Sequence, residues 1–268
     1  MRGDRVLDVT TVLGDLPQCR WPAPQGDALV ASLAGLRPRI EAACASAAVL
    51  DLESVSLLSP VARPARVIAV RTNYCADEPS SSSGSTAAAP DLFLKSATSI
   101  SGPSAGVELR LPGRRTDHEI ELAVVIGRRA DRLAASDALE SVAGYCIGVD
   151  FTLRGEEDRG LRKSLDGHTM LGPWLTTPDD AGDIGDLRIS LAVNGTQRQV
   201  GRTAGMMHGV AEIIACASRY FPLLPGDVIL TGTPAGAGPV AAGDVLHCAI
   251  QNLGEMSFAI RAARASGP

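Results

Sequence analysis

Aromatic side chains are scarce in this 268-residue chain: Phe, Tyr and Trp together make up 3 % of it. Val, Leu, Ile and Ala must therefore fill the interior. Long apolar runs are lacking too. No stretch approaches the roughly 18 to 20 apolar residues of a membrane-spanning helix, and the opening residues Met-Arg-Gly-Asp-Arg-Val lack the apolar region of a secretory signal. The expectation is a cytoplasmic protein with no membrane partner. Positive charge is not in excess either, since 25 Lys and Arg stand against 30 Asp and Glu, for a net charge of −5. A nucleic-acid partner requires a concentrated positive field, so no nucleic acid is expected, and a small molecule is the better candidate ligand. The six cysteines (Cys19, Cys44, Cys75, Cys146, Cys216 and Cys248) form no Cys-x-x-Cys pair and have no histidine at zinc spacing, which points to reduced, mostly buried thiols.

What is present is a chain 45 % hydrophobic, long enough to bury a sizeable core without oligomerising. Residues 1–65 are expected to form a small N-terminal subdomain with one helix over residues 27–48, where Leu29, Leu33, Leu36 and Ile40 recur at helical spacing around Pro38. The main domain, residues 66–268, opens with the β-branched run Val67-Ile68-Ala69-Val70, a buried strand. Residues 76–90 are rich in Ser and Gly and poor in apolar bulk, as expected of a flexible lid or loop.

Downstream, strands are predicted over 107–111, 119–126, 145–150, 187–193, 196–200, 228–231, 244–250 and 256–260, with helices near 138–142 and over 206–220. Asn194-Gly195 between two strands is the signature of a type I′ hairpin. Many strands, few helices and no regular strand-helix alternation indicate an α+β, mainly β fold with a twisted, rolled sheet.

Glu119 and Glu121 lie two apart within a strand pattern, so both carboxylates share one face. The neighbours Ala123-Val124-Val125-Ile126 predict a buried strand, where paired like charges require a counter-ion. Asp150, at the end of another apolar strand, adds a third oxygen donor, and an all-oxygen set selects a hard cation such as Mg²⁺, with Ca²⁺ or Mn²⁺ as alternatives. Taken alone, Glu-x-Glu is more often a pair of ordinary acidic residues on a solvated edge strand.

The company these residues keep decides between the two readings. In order along the chain stand Asn73-Tyr74, Phe93-Leu94-Lys95, Asp117-His118-Glu119-Ile120-Glu121-Leu122, Gly144-Tyr145 leading to Asp150, Arg154, and Lys163-Ser164-Leu165-Asp166. Gly172-Pro173-Trp174, Val193-Asn194-Gly195 and Leu224-Pro225-Gly226-Asp227 through Thr231-Gly232-Thr233-Pro234 follow. In this order and spacing, from about residue 60 onward, the chain resembles the fumarylacetoacetate hydrolase family. The resemblance implies a rolled mixed β-sandwich, a divalent metal on Glu119, Glu121 and Asp150, and a homodimer. It also implies an enzyme that acts on a 2-oxo or β-dicarbonyl acid through a metal-bound enolate, as an isomerase or tautomerase, decarboxylase, cyclase or C–C lyase. Substrate contacts would fall to Asn73, Tyr74, Lys95, Arg154 and Thr233, with Lys163 beside the developing charge.

Hydrolytic and decarboxylating members of that family usually carry a histidine four residues after the Asn of Asn-Tyr and a glutamate three further on. Here those positions are Asp77 and Ser80, and no histidine precedes Asp117. This shifts weight from hydrolysis toward the other reactions. Acylpyruvate hydrolysis with Asp77, Glu78 or His168 positioning water is the alternative, and a non-catalytic ligand-binding descendant is a third reading. Gly102-Pro103-Ser104-Ala105-Gly106 spells a nucleophile elbow, but a strand rather than a helix follows it. Gly232 to Gly238 lacks the residues of a phosphate or dinucleotide loop.

Overall fold

Residues 120–126 supply the unbroken apolar run that becomes the strand Ile120–Ile126, buried along its whole length. In the computed structural model, which describes residues 5–17, 26–62, 64–74 and 89–263, this strand lies at the middle of a seven-stranded mixed sheet. From one edge to the other the order is Asp91–Lys95, Val67–Arg71, Val228–Leu230, Ile120–Ile126, Val142–Asp150, Thr169–Thr176 and Ile100–Ser101. Val228–Leu230 runs parallel to Val67–Arg71 and antiparallel to Ile120–Ile126.

A second sheet of five strands follows the order Thr196–Arg202, Arg188–Val193, Val245–Ile250, Gly254–Ala262 and Val107–Leu109. Its strands alternate buried and exposed residues, as expected of a sheet with one face on the core and one in water.

The strict two-residue alternation of a strand divides the first sheet between two cores. Ile120, Leu122, Val124 and Ile126 face the second sheet, in a cluster with Ile189, Leu191, Leu246, Phe258 and the helix residues Ile213, Ile214 and Ala217. Ala123 and Val125 face the other way, with Cys146, Leu171, Val228, Leu230 and Val30. Val30 belongs to the leading helix Ala28–Ala43, whose N-cap Asp27 accepts a hydrogen bond from the Val30 N–H at 3.0 Å. The Asp27 N–H in turn donates to the Pro225 carbonyl at 2.8 Å. Beside this helix, Arg5–Asp8 pairs antiparallel with Ala48–Asp51.

The fold is α+β and mainly β, as expected, and most boundaries agree within a few residues. Three differences have identifiable causes. The helix expected over 206–220 begins at Val210, because the N–H groups of Met207 and His208 are bonded to Asn73 and do not enter a helical ladder. The strand Thr169–Thr176 leaves no regular two-residue pattern in the sequence, since Gly172-Pro173 interrupts it and its register against Val142–Asp150 shifts there. The leading helix stops at Ala43 rather than 48, and Ala48 starts the strand of the small hairpin. Asn194 and Gly195 have φ of 51° and 76° between the paired Val193 and Thr196, as a type I′ turn requires.

Candidate active site

Glu121 leaves the same face of its strand as Ala123, and Asp150 the same face of the neighbouring strand as Cys146, so pleat and register bring the two carboxylates together. Gly148 pairs directly with Glu121. Glu119 sits just before the strand, where its carbonyl accepts the Asp150 N–H at 2.8 Å. One oxygen from each of Glu119, Glu121 and Asp150 lies within 4.8 Å of the others, and all three residues are buried.

Two lysines neutralise the cluster. Lys163, which caps the short helix Arg159–Arg162, donates from Nζ to Glu119 Oε2 at 2.6 Å and to Asp150 Oδ2 at 2.7 Å. Lys95, the last residue of its strand, is fully buried and donates to Asp150 Oδ1. Burial opposes charge on Lys163, yet Asp150 and Glu119 outweigh it and raise the ammonium pKa. Burial dominates for Lys95 and lowers its pKa despite Asp150. For Asp150 burial works upward, but the two lysines hold the carboxyl below its ordinary value. Glu121 is pushed up to about 8 by burial and by the charge of Asp150, its one compensating contact from the backbone being the Gly232 N–H. A buried, all-oxygen set of crowded carboxylates, one of which resists ionisation, is the donor chemistry that fits a hard divalent cation.

Two members of the cluster, Glu119 and Glu121, line a cavity of about 430 Å³. Its described walls include Val70, Arg71, Thr72, Tyr74, Phe93, Thr152, Arg154, Arg159, Arg162, Lys163, Thr233 and Pro234. Apart from Glu119 and Glu121, every charged group in this lining is cationic.

The expected site residues take different places around this cavity. Arg154 lines it, gripped by Asp117 through Nε at 2.7 Å, and reaches Glu119 Oε1 with Nη2 at 3.2 Å. Tyr74 lines it with a buried hydroxyl that has no partner among the described residues; burial, reinforced by Glu121, raises its pKa. Thr233 lines it, but its hydroxyl donates to the Ile120 carbonyl at 2.7 Å. Asn73 is fully buried, with its amide donating to the carbonyls of His208 at 2.9 Å and Thr231 at 2.8 Å; it fastens the walls rather than facing the cavity. His168 does not line the cavity. It is buried behind the Asp150 strand, its Nε2 lies 3.1 Å from the Glu108 carbonyl, and burial lowers its pKa. Asp77 and Glu78 lie outside the described residues.

Several contributors are not apparent from sequence patterns. Asp117 takes Arg115 at 2.7 Å and Arg154 at 2.7 Å, a clamp that only its neighbour Glu119 in the sequence hints at. Gln199 comes from the second sheet, fully buried. Its Nε2 donates to Thr233 Oγ1 at 2.8 Å and to the Pro234 carbonyl at 2.9 Å, and its Oε1 accepts from the Ile120 N–H at 3.1 Å. His118 Nδ1, 2.9 Å from the same oxygen, must therefore be the donor in that pair, which fixes the imidazole tautomer.

Comparison with known proteins agrees with this geometry. The family model "Fumarylacetoacetate (FAA) hydrolase C-terminal" matches residues 66–261. The chain is 44 % identical over 270 residues to maleylpyruvate hydrolase of Aquipseudomonas alcaligenes, covering 97 % of this chain and 94 % of that one. It is 38 % identical over 219 residues to a mitochondrial oxaloacetate tautomerase of Homo sapiens, covering 77 % and 69 %. It superimposes with a TM-score of 0.85 and 35 % identity, covering 98 % and 95 %, on the crystal structure of maleylpyruvate hydrolase from Sphingobium sp. SYK-6 in complex with manganese(II) and pyruvate. With a matching family model over most of its length and a carboxylate cluster on the central sheet, the chain belongs to the fumarylacetoacetate hydrolase family.

Proposed function

We propose that the chain is a metal-dependent hydrolase of an acylpyruvate of the maleylpyruvate type, cleaving the C–C bond between the acyl carbon and the pyruvate methylene. The observation that carries this reading is the buried Glu119, Glu121 and Asp150 cluster beside a cavity whose other charged groups are cationic among the described residues. A divalent cation held by those carboxylates would supply Lewis acidity toward the 2-oxo acid end of the substrate. Mg²⁺ is the proposed ion, and the manganese in the similar structure shows that a relative accepts a related one.

Around that end the residues of this chain have distinct tasks. Lys163, fixed by Glu119 and Asp150, places a permanent positive charge beside the oxygens on which negative charge develops. Arg154, held by Asp117, orients Glu119. The Tyr74 hydroxyl is a donor not engaged elsewhere among the described residues. Water attacks the acyl carbon, and the pair of electrons from the broken C–C bond passes into the pyruvate unit, which takes up a proton at its methylene. His168, which does not line the cavity, is not proposed as the base. Asp77 and Glu78, which follow Tyr74 in the sequence, are proposed to activate the water.

Tautomerisation of a 2-oxo dicarboxylic acid is the second reading. It is favoured by Asp77 and Ser80 at the positions of the family's histidine and glutamate and by the similarity to a tautomerase. Incubating the Mg²⁺-loaded protein with maleylpyruvate in ¹⁸O-labelled water discriminates between the two. Hydrolysis gives pyruvate and one labelled oxygen in the released maleate. If no pyruvate is formed while enolic oxaloacetate is converted to its keto form, hydrolysis is excluded and the tautomerase stands.

A further inference from the structure

We infer that Arg71 and Arg159 form a second anion subsite that selects substrates with a carboxylate at the end remote from the metal cluster. The inference rests on the reading of the cluster as the 2-oxo acid end. Of the four arginines lining the cavity, two are committed elsewhere. Arg154 is bonded to Asp117 and Glu119, and Arg162 spends Nε on the Glu157 carbonyl at 2.8 Å and Nη1 on the Leu153 carbonyl at 3.2 Å. Arg71 and Arg159 are held only loosely. Both approach a single carboxylate oxygen, Asp91 Oδ2, at 3.5 Å and 3.8 Å, longer than well-formed charged hydrogen bonds. Asp91 is itself 57 % exposed, so one solvated carboxylate faces two guanidinium groups and a positive charge is left over.

Their placement gives the subsite a direction. Arg71 ends the strand Val67–Arg71, directly across from Asp91, while Arg159 opens the short helix that Lys163 closes. Phe93 neighbours both groups, since the Lys163 ammonium and the Arg159 guanidinium each lie 5.7 Å from its ring centroid. A substrate with one end at Lys163 and the carboxylate cluster would pass along this ring and present its far end to Arg159 and Arg71. A guanidinium pair meets a carboxylate with parallel N–H donors, which a lysine cannot offer.

The test is binding to the Mn²⁺-loaded protein by calorimetry, with pyruvate as the single-carboxylate probe and 2-oxoglutarate and 2-oxoadipate as probes with a second carboxylate. The wild-type protein is expected to bind at least one of the two longer acids about tenfold or more tightly than pyruvate. Arg71→Gln and Arg159→Gln should each reduce that ratio, and the double variant should bring it close to one. Equal affinity of the wild-type protein for all three acids overturns the inference, as does a ratio that survives in the double variant. Melting curves on the same samples verify folding, and the exposed Arg71 side chain makes Arg71→Gln the safe single variant. Absence of acylpyruvate cleavage alongside a retained preference for two-carboxylate acids would remove the proposed reaction and leave this subsite standing.

Discussion

Glu121 is the residue through which pH should act on the site. Its carboxyl, raised from 4.5 to about 8 first by burial and then by Asp150, carries its proton at neutral pH, whereas cation binding requires the ionised form. Lowering the pH below about 8 therefore works against binding. Apparent Mn²⁺ affinity should fall about tenfold per pH unit from 8 to 6 and level off above that range, measured by calorimetric titration. Glu121→Gln, which has no proton to release, should bind more weakly and lose this slope; a flat profile for the wild-type chain would contradict the assignment. At this scale the clustering of the carboxylates was readable, because a two-residue spacing in an apolar strand fixes their common face. Arg71, Arg159 and Gln199 were not, since each acquires its meaning from groups that are remote in sequence, and an arginine in an acidic surface loop has no local pattern that distinguishes it.

Among the connecting elements, the turn Thr231 to Pro234 bears most directly on the cluster. Gly232 has φ of +96°, and a Cβ there would lie 2.7 Å from the Cβ of Asn73, while its N–H holds Glu121. Gly232→Ala should thus cost about 2 kcal/mol or more in stability and also weaken Mn²⁺ binding, since the backbone that steadies Glu121 must move. Urea unfolding and metal titration of the same variant check both, and loss of stability with unaltered metal affinity would show that the turn does not support the ligand. Elements with a clean periodicity, such as the strands Ile120–Ile126 and Val245–Ile250, were legible at nearly their true limits. The strand Thr169–Thr176 was not, because its bulge at Gly172-Pro173 breaks the two-residue pattern, and the start of the helix Val210–Tyr220 depends on Asn73, more than 130 residues away.

Across the whole molecule, the leading stretch is coupled to the sheet by Val30 and by the Asp27 to Pro225 hydrogen bond. Residues 1–65 are accordingly proposed to be a subdomain in sequence that unfolds together with the rest. Calorimetry should show one transition, and Asp27→Ala, which removes the helix cap at a cost of about 1 kcal/mol, should shift it as a unit. Two resolved transitions, with only one moved by Asp27→Ala, would establish independent folding.

The position of Val228–Leu230 has a further consequence for how the protein is made. This strand fills the gap between Val67–Arg71 and Ile120–Ile126, yet it is translated after every other strand of its sheet. Until it leaves the ribosome, Val67–Arg71 and Ile120–Ile126 each lack the apolar neighbour that pairs with them in the finished sheet. Such unpaired edges attract aggregation and chaperones during synthesis. The same late strand leads into Gly232 and Thr233, so the cavity wall that Thr233 provides is added only after the rest of its sheet has been made.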